Sequence, residues 1–342
     1  MIDQEVKIGP LHGAGGEMMG QLLDRLILPR FAGGRAHRIG LAELDDGATV
    51  SVPPGAGEVV LTTDSHVVKP IFFPGGDIGL LAAAGTLNDL AVMGAQPIAL
   101  TLAAIIEEGF LFSDLERILD SFAATLDRVG ATVVCGDTKV MPSGELDGIV
   151  LNTTGIGTAQ HAVSDADLRP GDRVLTTGTI GDHGMALMAA REEFHLTTTL
   201  ESDVAAVWPM LAPALAAGGI HAMKDPTRGG LAAALNEMAR KSNTCIAIAE
   251  KDIPIKEAVY GLSELLGISP LEVANEGKAL LVVAPDRAEE ILEILRNHPL
   301  GVDAADIGEV GTEYPGRVVI ETEVGGRRFL DMPLGDPVPR IC

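Results

Sequence analysis

The chain has 342 residues, 46% of them hydrophobic, and its 48 acidic residues against 25 basic ones give a formal net charge of -23. This length exceeds the size at which one hydrophobic core stops growing, so two domains are expected. So negative a chain is not expected to bind nucleic acid or an anionic membrane, because both attract positively charged surfaces.

The cysteines and the first residues indicate a cytoplasmic protein. Cys135, Cys245 and Cys342 show neither paired spacing nor a CxxC motif, which favours reduced thiols over a disulfide framework or a zinc site. Residues 1–10 lack the basic and apolar regions of a signal peptide. The most apolar stretch, residues 78–106, is interrupted by polar side chains and does not predict a membrane span.

The first predicted elements carry carboxylates at their boundaries. A glycine-rich loop over residues 12–20 either cradles phosphate or forms an N-terminal turn. A strand over residues 59–63 ends at Asp64, and Asp77 begins a long apolar helix. That helix contains Asn88-Asp89, and a carboxylate buried there needs a partner or a metal ion.

A second strand-helix-strand unit completes the first half. Residues 97–106 predict a buried strand, and Ser113 or Asp114 is expected to cap a helix that ends near Val129. A strand over residues 131–135 is followed directly by Gly136-Asp137-Thr138-Lys139, so a strand end would present a carboxylate, a hydroxyl and an ammonium together. A strand over residues 149–158 closes a first domain of about 160 residues.

The second half again alternates strands and helices. After a strand over residues 173–177, a glycine-rich loop contains His183, which we interpret as a loop-packing residue rather than a phosphate contact. Asp225-Pro226 fits the N-cap and first position of a helix over residues 231–241. The following Thr227-Arg228-Gly229-Gly230 does not favour a helix and suggests a close approach of the backbone to a ligand. The remaining predicted elements are helices over residues 185–193, 203–215, 255–266 and 287–297, a strand over 279–284 and a hairpin over 318–329.

This alternation predicts α/β or α+β domains with mixed sheets. We expect an N-terminal domain over residues 1–160, a C-terminal domain over residues 161–330 and a tail over residues 331–342. The tail is rich in proline and ends on Cys342, so it is either a semi-extended arm that carries a thiol or an ordinary frayed terminus.

The residues alone lead to a nucleotide-dependent enzyme. Four carboxylates of the first domain, Asp64, Asp77, Asp89 and Asp137, could hold Mg²⁺, which an acidic protein needs as a bridge to the phosphates of ATP. The chain contains neither a Walker-type GxxxxGK[ST] motif nor the protein-kinase signature set.

Eight sequence blocks in order give the chain a specific resemblance. It resembles the HypE family of hydrogenase maturation factors, within the aminoimidazole ribonucleotide synthetase (PurM-like) superfamily. The blocks are HGAGG at 12–16, TTDSHVV at 62–68, FFPGGDIG at 72–79, NDLA at 88–91, GDTKV at 136–140, DPTRGG at 225–230, ANEGK at 274–278 and PRIC at 339–342. Lys224, where the family pattern leads us to expect arginine, is a small departure.

The resemblance implies a two-domain PurM-like fold, and a homodimer whose N-terminal domains pair into a β-barrel, with ATP and Mg²⁺ bound near the domain interface. It also implies that a carbamoyltransferase, HypF, places a carbamoyl group on the thiol of Cys342. The enzyme would then act as a carbamoyl dehydratase, using ATP to convert this S-carboxamide to a thiocyanate. The cyanide would pass to iron on a HypC/HypD scaffold during assembly of [NiFe] hydrogenases.

Site residues follow by position in the matching blocks. Cys342 carries the substrate, Glu276 is the candidate base, and Lys139 steadies phosphate or the carboxamide oxygen. The residues assigned to ATP with its metal are Asp64, Asp77, Asp89, Asp137, Thr138, Asp225, Thr227 and Gly229, with Asp64, Asp89 and Asp137 as metal ligands.

Two other functions remain open from the sequence. A PurM-like enzyme could instead act on a free small-molecule amide or on selenide. Alternatively, the chain could be a non-catalytic scaffold that carries a thiol-bound ligand to a partner.

Overall fold

The computed structural model describes residues 16–22, 24, 39, 43–46, 48–50, 57–191, 198–335, 337–338 and 340–342. Residues 12–15 of the predicted glycine-rich loop therefore lie outside the described residues. The elements of the first half are α1 (Gly16–Leu22), β1 (Ala48–Val50), β2 (Glu58–His66), β3 (Phe72–Phe73), β4 (Gly76–Asp77), α2 (Ile78–Val92), β5 (Gln96–Glu107), α3 (Phe112–Val129), β6 (Thr132–Met141) and β7 (Ile149–Ala159).

The second half continues the numbering. Its elements are β8 (Arg173–Thr176), α4 (Asp182–Ala190), α5 (Trp208–Ala217), β9 (Ile220–Lys224), α6 (Gly230–Ser242), β10 (Cys245–Ala249), α7 (Glu257–Leu266), β11 (Leu280–Val283), α8 (Ala288–Arg296), β12 (Ala305–Gly311), β13 (Arg317–Glu321) and β14 (Arg327–Leu330). Short 3₁₀ turns lie at Glu250–Asp252, Pro270–Glu272 and Pro299–Gly301.

Among the residues that the structure describes, the first sheet has five strands in the order β1-β2-β7-β5-β6, and only the β5–β6 pair is parallel. Helix α2 packs on β2 and β7, and α3 packs on α2. The opposite face is more open: Thr63 and Ser65 of β2 are exposed, while Asn152 and Thr154 of β7 are half-buried. Strand β6 lies at the sheet edge and is exposed at nearly every residue.

The second sheet has seven strands in the order β14-β13-β10-β12-β8-β11-β9, with β10–β13 as its parallel pair. Apolar residues of α6 pack on one side of it, and those of α5 and α8 form another core cluster with β8, β9 and β11. The expected mixed α/β fold in two halves is confirmed, and so is the predicted hairpin, which is the antiparallel pair β13–β14.

Several predicted boundaries were wrong for physical reasons. Strand β2 continues past Asp64 to His66, and β6 continues to Met141, so the Asp137 segment lies inside a strand rather than after one. An exposed edge strand needs no apolar alternation, so its polar residues were mistaken for a loop. Helix α3 begins at Phe112 without a side-chain cap, and α5 begins five residues later than predicted, at Trp208.

Within the described ranges, no helix combines the length and apolar character needed to cross a bilayer.

Candidate active site

A cavity of about 930 Å³ is lined by residues of both halves and of the tail. Asp64 of β2 and Asp89 of α2 line it from the first half, Asp225 and Glu276 from the second, and Cys342 from the tail. Five residues that the sequence assigned to one site therefore meet in one cavity.

Asp64 and Asp89 lie on packed neighbours, since α2 covers β2. Thr62 donates to Asp89 Oδ2 at 2.5 Å, and Thr86 donates to Asp64 Oδ2 at 3.4 Å. Burial raises the pKa of Asp89 well above its ordinary value, and the neighbouring charges of Asp64, Asp225 and Asp46 raise it further. A cation bound here would relieve the repulsion that these carboxylates exert on one another.

Asp225 follows β9 and faces the same cavity. Burial and the charge of Asp46 raise the pKa of Asp225 to about 8, while Lys224 acts in the opposite direction. The predicted capping role was wrong: Gly229 is the N-cap of α6, with φ at +79°. Asp225 is therefore buried towards the cavity rather than used to begin the helix.

The glycines of the DPTRGG block have a backbone explanation. Gly229 and Gly230 have φ values of +79° and +60°, a left-handed region that favours glycine. A Cβ on Gly230 would lie 2.5 Å from the carbonyl oxygen of Val273 and 2.8 Å from that of Leu271. Packing of α6 against this neighbouring segment thus accounts for Gly230, and the predicted approach of a ligand to this turn stays a prediction. Thr227 and Gly230 line the cavity.

Glu276 is deeply buried in the cavity wall, with 3% of its surface exposed. Its Oε1 atom has no hydrogen-bond partner within the described structure. Burial raises the pKa of Glu276 well above the ordinary value, as do the charges of Asp225 and Asp203, while Arg228 lowers it. The carboxyl group is therefore protonated over a wider pH range than an ordinary glutamate.

The backbone at Glu276 is held from two sides. Asp203 accepts hydrogen bonds from Glu276 N at 3.0 Å and from Asn275 Nδ2 at 2.8 Å. Asn88, which precedes Asp89 on α2, donates to the carbonyl oxygens of Glu276 and Ala205, both at 3.0 Å. Asn88 Oδ1 also accepts from Val207 N at 2.9 Å. We call these contacts of Asn88 and Asp203 the Glu276 brace.

The tail contacts the region beside the cavity. His183 Nε2 lies 2.8 Å from the carbonyl oxygen of Ile341, so the predicted loop-packing histidine in fact contacts the tail. Arg340 bonds to Asp147, which also pairs with Lys69 at 3.1 Å. The charge of Cys342 is the main cause that raises the pKa of Arg228, which lines the same cavity.

Five of the sequence-assigned residues do not line this cavity. Gly229 precedes α6 as its N-cap. Asp77 caps α2, accepting from Gly79 N at 2.8 Å and Leu80 N at 3.0 Å, and its carboxylate also bonds to Ser121. The other three, Asp137, Thr138 and Lys139, lie on the exposed edge strand β6.

The sheet register gives the separation of β6 from the cavity. Across the sheet, Asp64 pairs with Thr153, Thr153 with Leu102, and Leu102 with Gly136. Three strand spacings therefore separate β2 from β6, which is a distance of about 14 Å. Because neighbouring residues alternate between faces, Asp137 lies on the face opposite Asp64.

The carboxylates of the cavity suit a hard cation, but the described residues do not form a complete ligand set. Carboxylate oxygens such as those of Asp64 and Asp89 are ligands that Mg²⁺ prefers. Within the described part of the chain, however, no three His, Cys, Asp or Glu side chains are grouped closely enough to hold a metal ion. The full ligand set, including Asp137, stays a prediction.

Sequence reasoning missed several residues of the site. Asp46 lines the cavity and bonds to Lys224 Nζ at 2.6 Å, and the Asp45-Asp46 pair before a glycine was the available signal. Lys224, noted only as a departure, also lies 3.4 Å from each of Asp165 and Glu237. Asp203 had no local signal, because its role depends on contacts more than 70 residues away along the chain.

Comparison with known proteins adds a family context. The models described as AIR synthase related protein, N-terminal domain and C-terminal domain, match residues 44–159 and 169–321 respectively. The chain is 46% identical over 336 residues to the carbamoyl dehydratase HypE of Rhizobium leguminosarum bv. viciae, covering 97% of this chain and 94% of that protein.

Two solved structures have the same fold over most of the chain. A HypE in a HypE–HypF complex is 44% identical with a TM-score of 0.83, and the match covers 90% of this chain and 100% of that one. A HypE solved in complex with ATP is 39% identical with a TM-score of 0.80, and the match covers 98% of this chain and 100% of that one.

Proposed function

The chain belongs to the AIR synthase related family and, within it, to the HypE carbamoyl dehydratases, and from this we propose that it dehydrates a carbamoyl group carried on the thiol of Cys342, using ATP. The product is a thiocyanate that supplies cyanide for the iron of [NiFe] hydrogenases. The observation that carries the proposal is the position of Cys342, which lines the same cavity as Asp64, Asp89, Asp225 and Glu276.

The proposed reaction is balanced as a dehydration coupled to ATP hydrolysis. The S-carboxamide and ATP give the thiocyanate, ADP, inorganic phosphate and a proton. ATP supplies the phosphoryl group that turns the amide oxygen into a good leaving group. Forming the nitrile requires loss of both N–H protons and cleavage of the C–O bond, so a base must lie beside the nitrogen.

Glu276 is the proposed base. Its raised pKa makes the ionised carboxylate a stronger base than an ordinary glutamate, and Arg228 favours that ionised form. The Glu276 brace fixes its backbone, so the carboxyl group does not need to be ordered during the reaction. The unpartnered Oε1 atom leaves one oxygen available for a substrate proton.

ATP and Mg²⁺ are assigned to the same cavity. Asp64 and Asp89 would hold the metal, and Asp225, Thr227 and Gly229 would border the nucleotide from the second half. Asp137 lies about 14 Å away on the opposite face of the same sheet, so it would join the ligand set only through a second copy of the chain. The relative solved with ATP supports nucleotide binding, and the mutual repulsion that raises the pKa of Asp89 supports a cation. A bound Mg²⁺ would supply charge neutralisation for phosphoryl transfer.

We include a homodimer in the proposal. The exposed strand β6 and the open face of the first sheet support pairing of the N-terminal halves, because an unpaired edge and an uncovered face favour association. Asp137, Thr138 and Lys139 would then lie at the interface, where Lys139 could steady phosphate or the carboxamide oxygen. Asp77, which caps α2, would act only indirectly.

The proposed partners are HypF, which loads the thiol, and a HypC/HypD scaffold, which accepts the cyanide, all in the cytoplasm. The HypE–HypF complex among the structural relatives supports the first of these. The net charge of -23 supports partners other than nucleic acid.

Mass spectrometry of the C-terminal peptide tests the function. The protein is incubated with the carbamoyltransferase, carbamoyl phosphate and ATP, and the peptide is expected to gain a carbamoyl group and then lose water. Glu276→Gln should stop at the carbamoyl stage, with dehydration slowed about 10²–10⁴-fold. Glu264→Gln, at an exposed position on α7, is the matched control and should behave as the wild type.

Three outcomes would reject parts of the proposal. If Cys342 gains no mass, the substrate is a free amide or selenide instead. If the carbamoyl group is retained without phosphate release even in the wild type, the chain is a carrier rather than an enzyme. Normal dehydration by Glu276→Gln would remove Glu276 as the base.

A further inference from the structure

A buried ion pair lies beside Glu276 but outside the cavity. The side chains of Asp203 and Lys278 are 2% and 9% exposed, and Lys278 Nζ lies 3.6 Å from Asp203 Oδ2. Neither residue lines the cavity, so neither can contact a molecule bound there. Burying an ammonium group is costly unless an anionic partner offsets the lost hydration, so the position of Lys278 calls for a physical reason.

Asp203 connects this ion pair to Glu276. Its Oδ1 atom accepts a hydrogen bond from Glu276 N at 3.0 Å, and its Oδ2 atom accepts one from Asn275 Nδ2 at 2.8 Å. The backbone of Asp203 packs on the same segment, since a Cβ built on Gly277 would collide with the Asp203 carbonyl oxygen. The position of Glu276 therefore depends on the charge and orientation of the Asp203 carboxylate.

A second buried acid makes a cation necessary at this position. Asp182 is fully buried at the start of α4, and burial raises its pKa, which the charge of Asp203 raises further. Lys256 Nζ pairs with Asp182 at 2.7 Å. Among the residues that the structure describes, Lys278 is the cation within ion-pair distance of Asp203. Lys278 therefore favours the ionised form of Asp203, which accepts the stronger hydrogen bonds.

The glycine-rich loop that follows β8 provides the room for Lys278. A Cβ built on Gly178 would lie 2.9 Å from Lys278 Cε and 3.2 Å from its Cδ. Gly178 does not have a left-handed φ, so space for the lysine stem, rather than backbone conformation, accounts for a glycine here. Thr177 N donates to the carbonyl oxygen of Ala279 at 3.0 Å, and Ala279 N donates to Thr177 Oγ1 at 2.9 Å. These two hydrogen bonds hold the loop against the segment that carries Lys278.

We propose that Lys278 is a positioning residue for dehydration, because its pairing with Asp203 fixes the backbone of Glu276 and so holds the base in the cavity wall. The effect on catalysis rests on the proposed function, whereas the effect on the Glu276 backbone does not. Without the ammonium group, the buried carboxylate of Asp203 takes up a proton or turns away, because an unpaired buried charge is costly. Both changes weaken the hydrogen bond from Glu276 N.

Amide hydrogen exchange at Glu276 tests the positioning without any enzyme assay. The amide is followed by NMR in the full-length protein with isotope-labelled glutamate, and its resonance is assigned from its loss in Glu276→Gln. Lys278→Met keeps most of the buried stem and should speed exchange about ten-fold, the difference between a hydrogen bond to a charged acceptor and one to a neutral acceptor. Lys251→Met, at an exposed position, is the control and should exchange as the wild type does.

A second variant reaches the same ion pair without removing a charge, and it decides the question if Lys278→Met does not fold. Gly178→Ala places a Cβ against the Lys278 stem, so it should displace the ammonium group and speed exchange at Glu276 in the same direction. Gly261→Ala is its matched control, because a Cβ at Gly261 meets no atom within 4 Å. Wild-type exchange at Glu276 in both Lys278→Met and Gly178→Ala would overturn the positioning role.

Single-turnover dehydration of the carbamoyl-loaded protein tests the effect on catalysis. In Lys278→Met the rate should fall about ten-fold while the Kd of ATP stays unchanged, because Lys278 does not line the cavity. In an Asp203→Asn background, Lys278→Met should cause little further loss, because the partner through which it acts is already neutral.

The inference and the proposed function fail separately. Equal slowing by Lys278→Met in both backgrounds would reject action through Asp203, and a parallel loss of ATP affinity would show a general structural defect instead of positioning. Faster exchange at Glu276 with an unchanged dehydration rate would reject the catalytic half of the inference. If the wild type does not dehydrate the loaded thiol, the proposed function fails, and the exchange measurement still decides whether Lys278 positions Glu276.

Discussion

Replacing Asn88 by alanine should remove three hydrogen bonds that join α2 to the second half of the site. The Asn88 side chain makes three hydrogen bonds, to the carbonyl oxygens of Ala205 and Glu276 and from Val207 N, and it is 2% exposed. Asn88→Ala leaves the Val207 N–H buried without this acceptor and removes one donor from each carbonyl. At about 1–3 kcal/mol for the orphaned N–H and about 1 kcal/mol for each lost donor, the free energy of unfolding should fall by about 3–5 kcal/mol.

Denaturant unfolding followed by tryptophan fluorescence measures this change. The chain has a single tryptophan, Trp208, which directly follows Val207 at the start of α5. Fluorescence therefore reports on the segment that loses its hydrogen bond. Asn297→Ala is the control, because Asn297 is exposed at the end of α8 and its replacement should stay within about 0.5 kcal/mol of the wild type.

The same substitution should affect catalysis beyond its effect on folding. Under conditions where Asn88→Ala remains folded, displacement of the Glu276 backbone should slow dehydration about 10–100-fold. A change in unfolding free energy below about 1 kcal/mol would refute the reasoning, because the three bonds would then contribute no more than exposed ones. Full activity in the folded variant would show that the brace does not position Glu276.

Three further outcomes are expected. The pKa of Asp225 is raised to about 8, so the folded protein retains a proton that the unfolded chain releases. The free energy of unfolding should therefore fall as pH rises from about 4 to 8, by up to about 1.4 kcal/mol per pH unit. Asp225→Asn should reduce this slope, as measured from urea unfolding midpoints across pH. Lys139→Met, on exposed β6, should leave the melting temperature unchanged yet abolish dehydration, and normal turnover would withdraw the assignment of Lys139. Gly229→Ala should lower the free energy of unfolding by about 1–2 kcal/mol, because φ is +79° and the new Cβ would lie 2.7 Å from the Cβ of Ala233. An unchanged midpoint of thermal unfolding would contradict this prediction.

Local signals predicted the fold well where a residue acts on its own neighbours. Asp77 at the start of α2 is such a case, since its carboxylate accepts from the next turn of its own helix. The same signal failed at Asp225, where the Asp-Pro pair resembles a cap but the helix begins only at Gly230. Gly229 and Gly230 both have left-handed backbone conformations, which delays the start of the helix. Nothing in the local sequence pattern indicates that Gly230 packs against the segment around Val273.

The site was predictable by residue type and sequence block, but not by arrangement. Asp64, Asp89 and Glu276 were assigned from their blocks and do share a cavity. The Glu276 brace could not be predicted, because Asn88 and Asp203 reach Glu276 across 188 and 73 residues of chain respectively. Contacts of that span depend on how the two sheets and α2 pack, which no local pattern specifies.

Strand β6 also has a consequence for colloidal behaviour. Its exposed edge includes Val133, Val134 and Val140, which are 41%, 60% and 63% exposed, and such an edge is a template for uncontrolled pairing between molecules. The net charge of -23 opposes that pairing by long-range repulsion, which dissolved salt shortens to a few ångströms at molar concentration. Solubility should therefore depend on ionic strength most strongly in variants that leave β6 uncovered, and a lysine placed at Val134 should protect them.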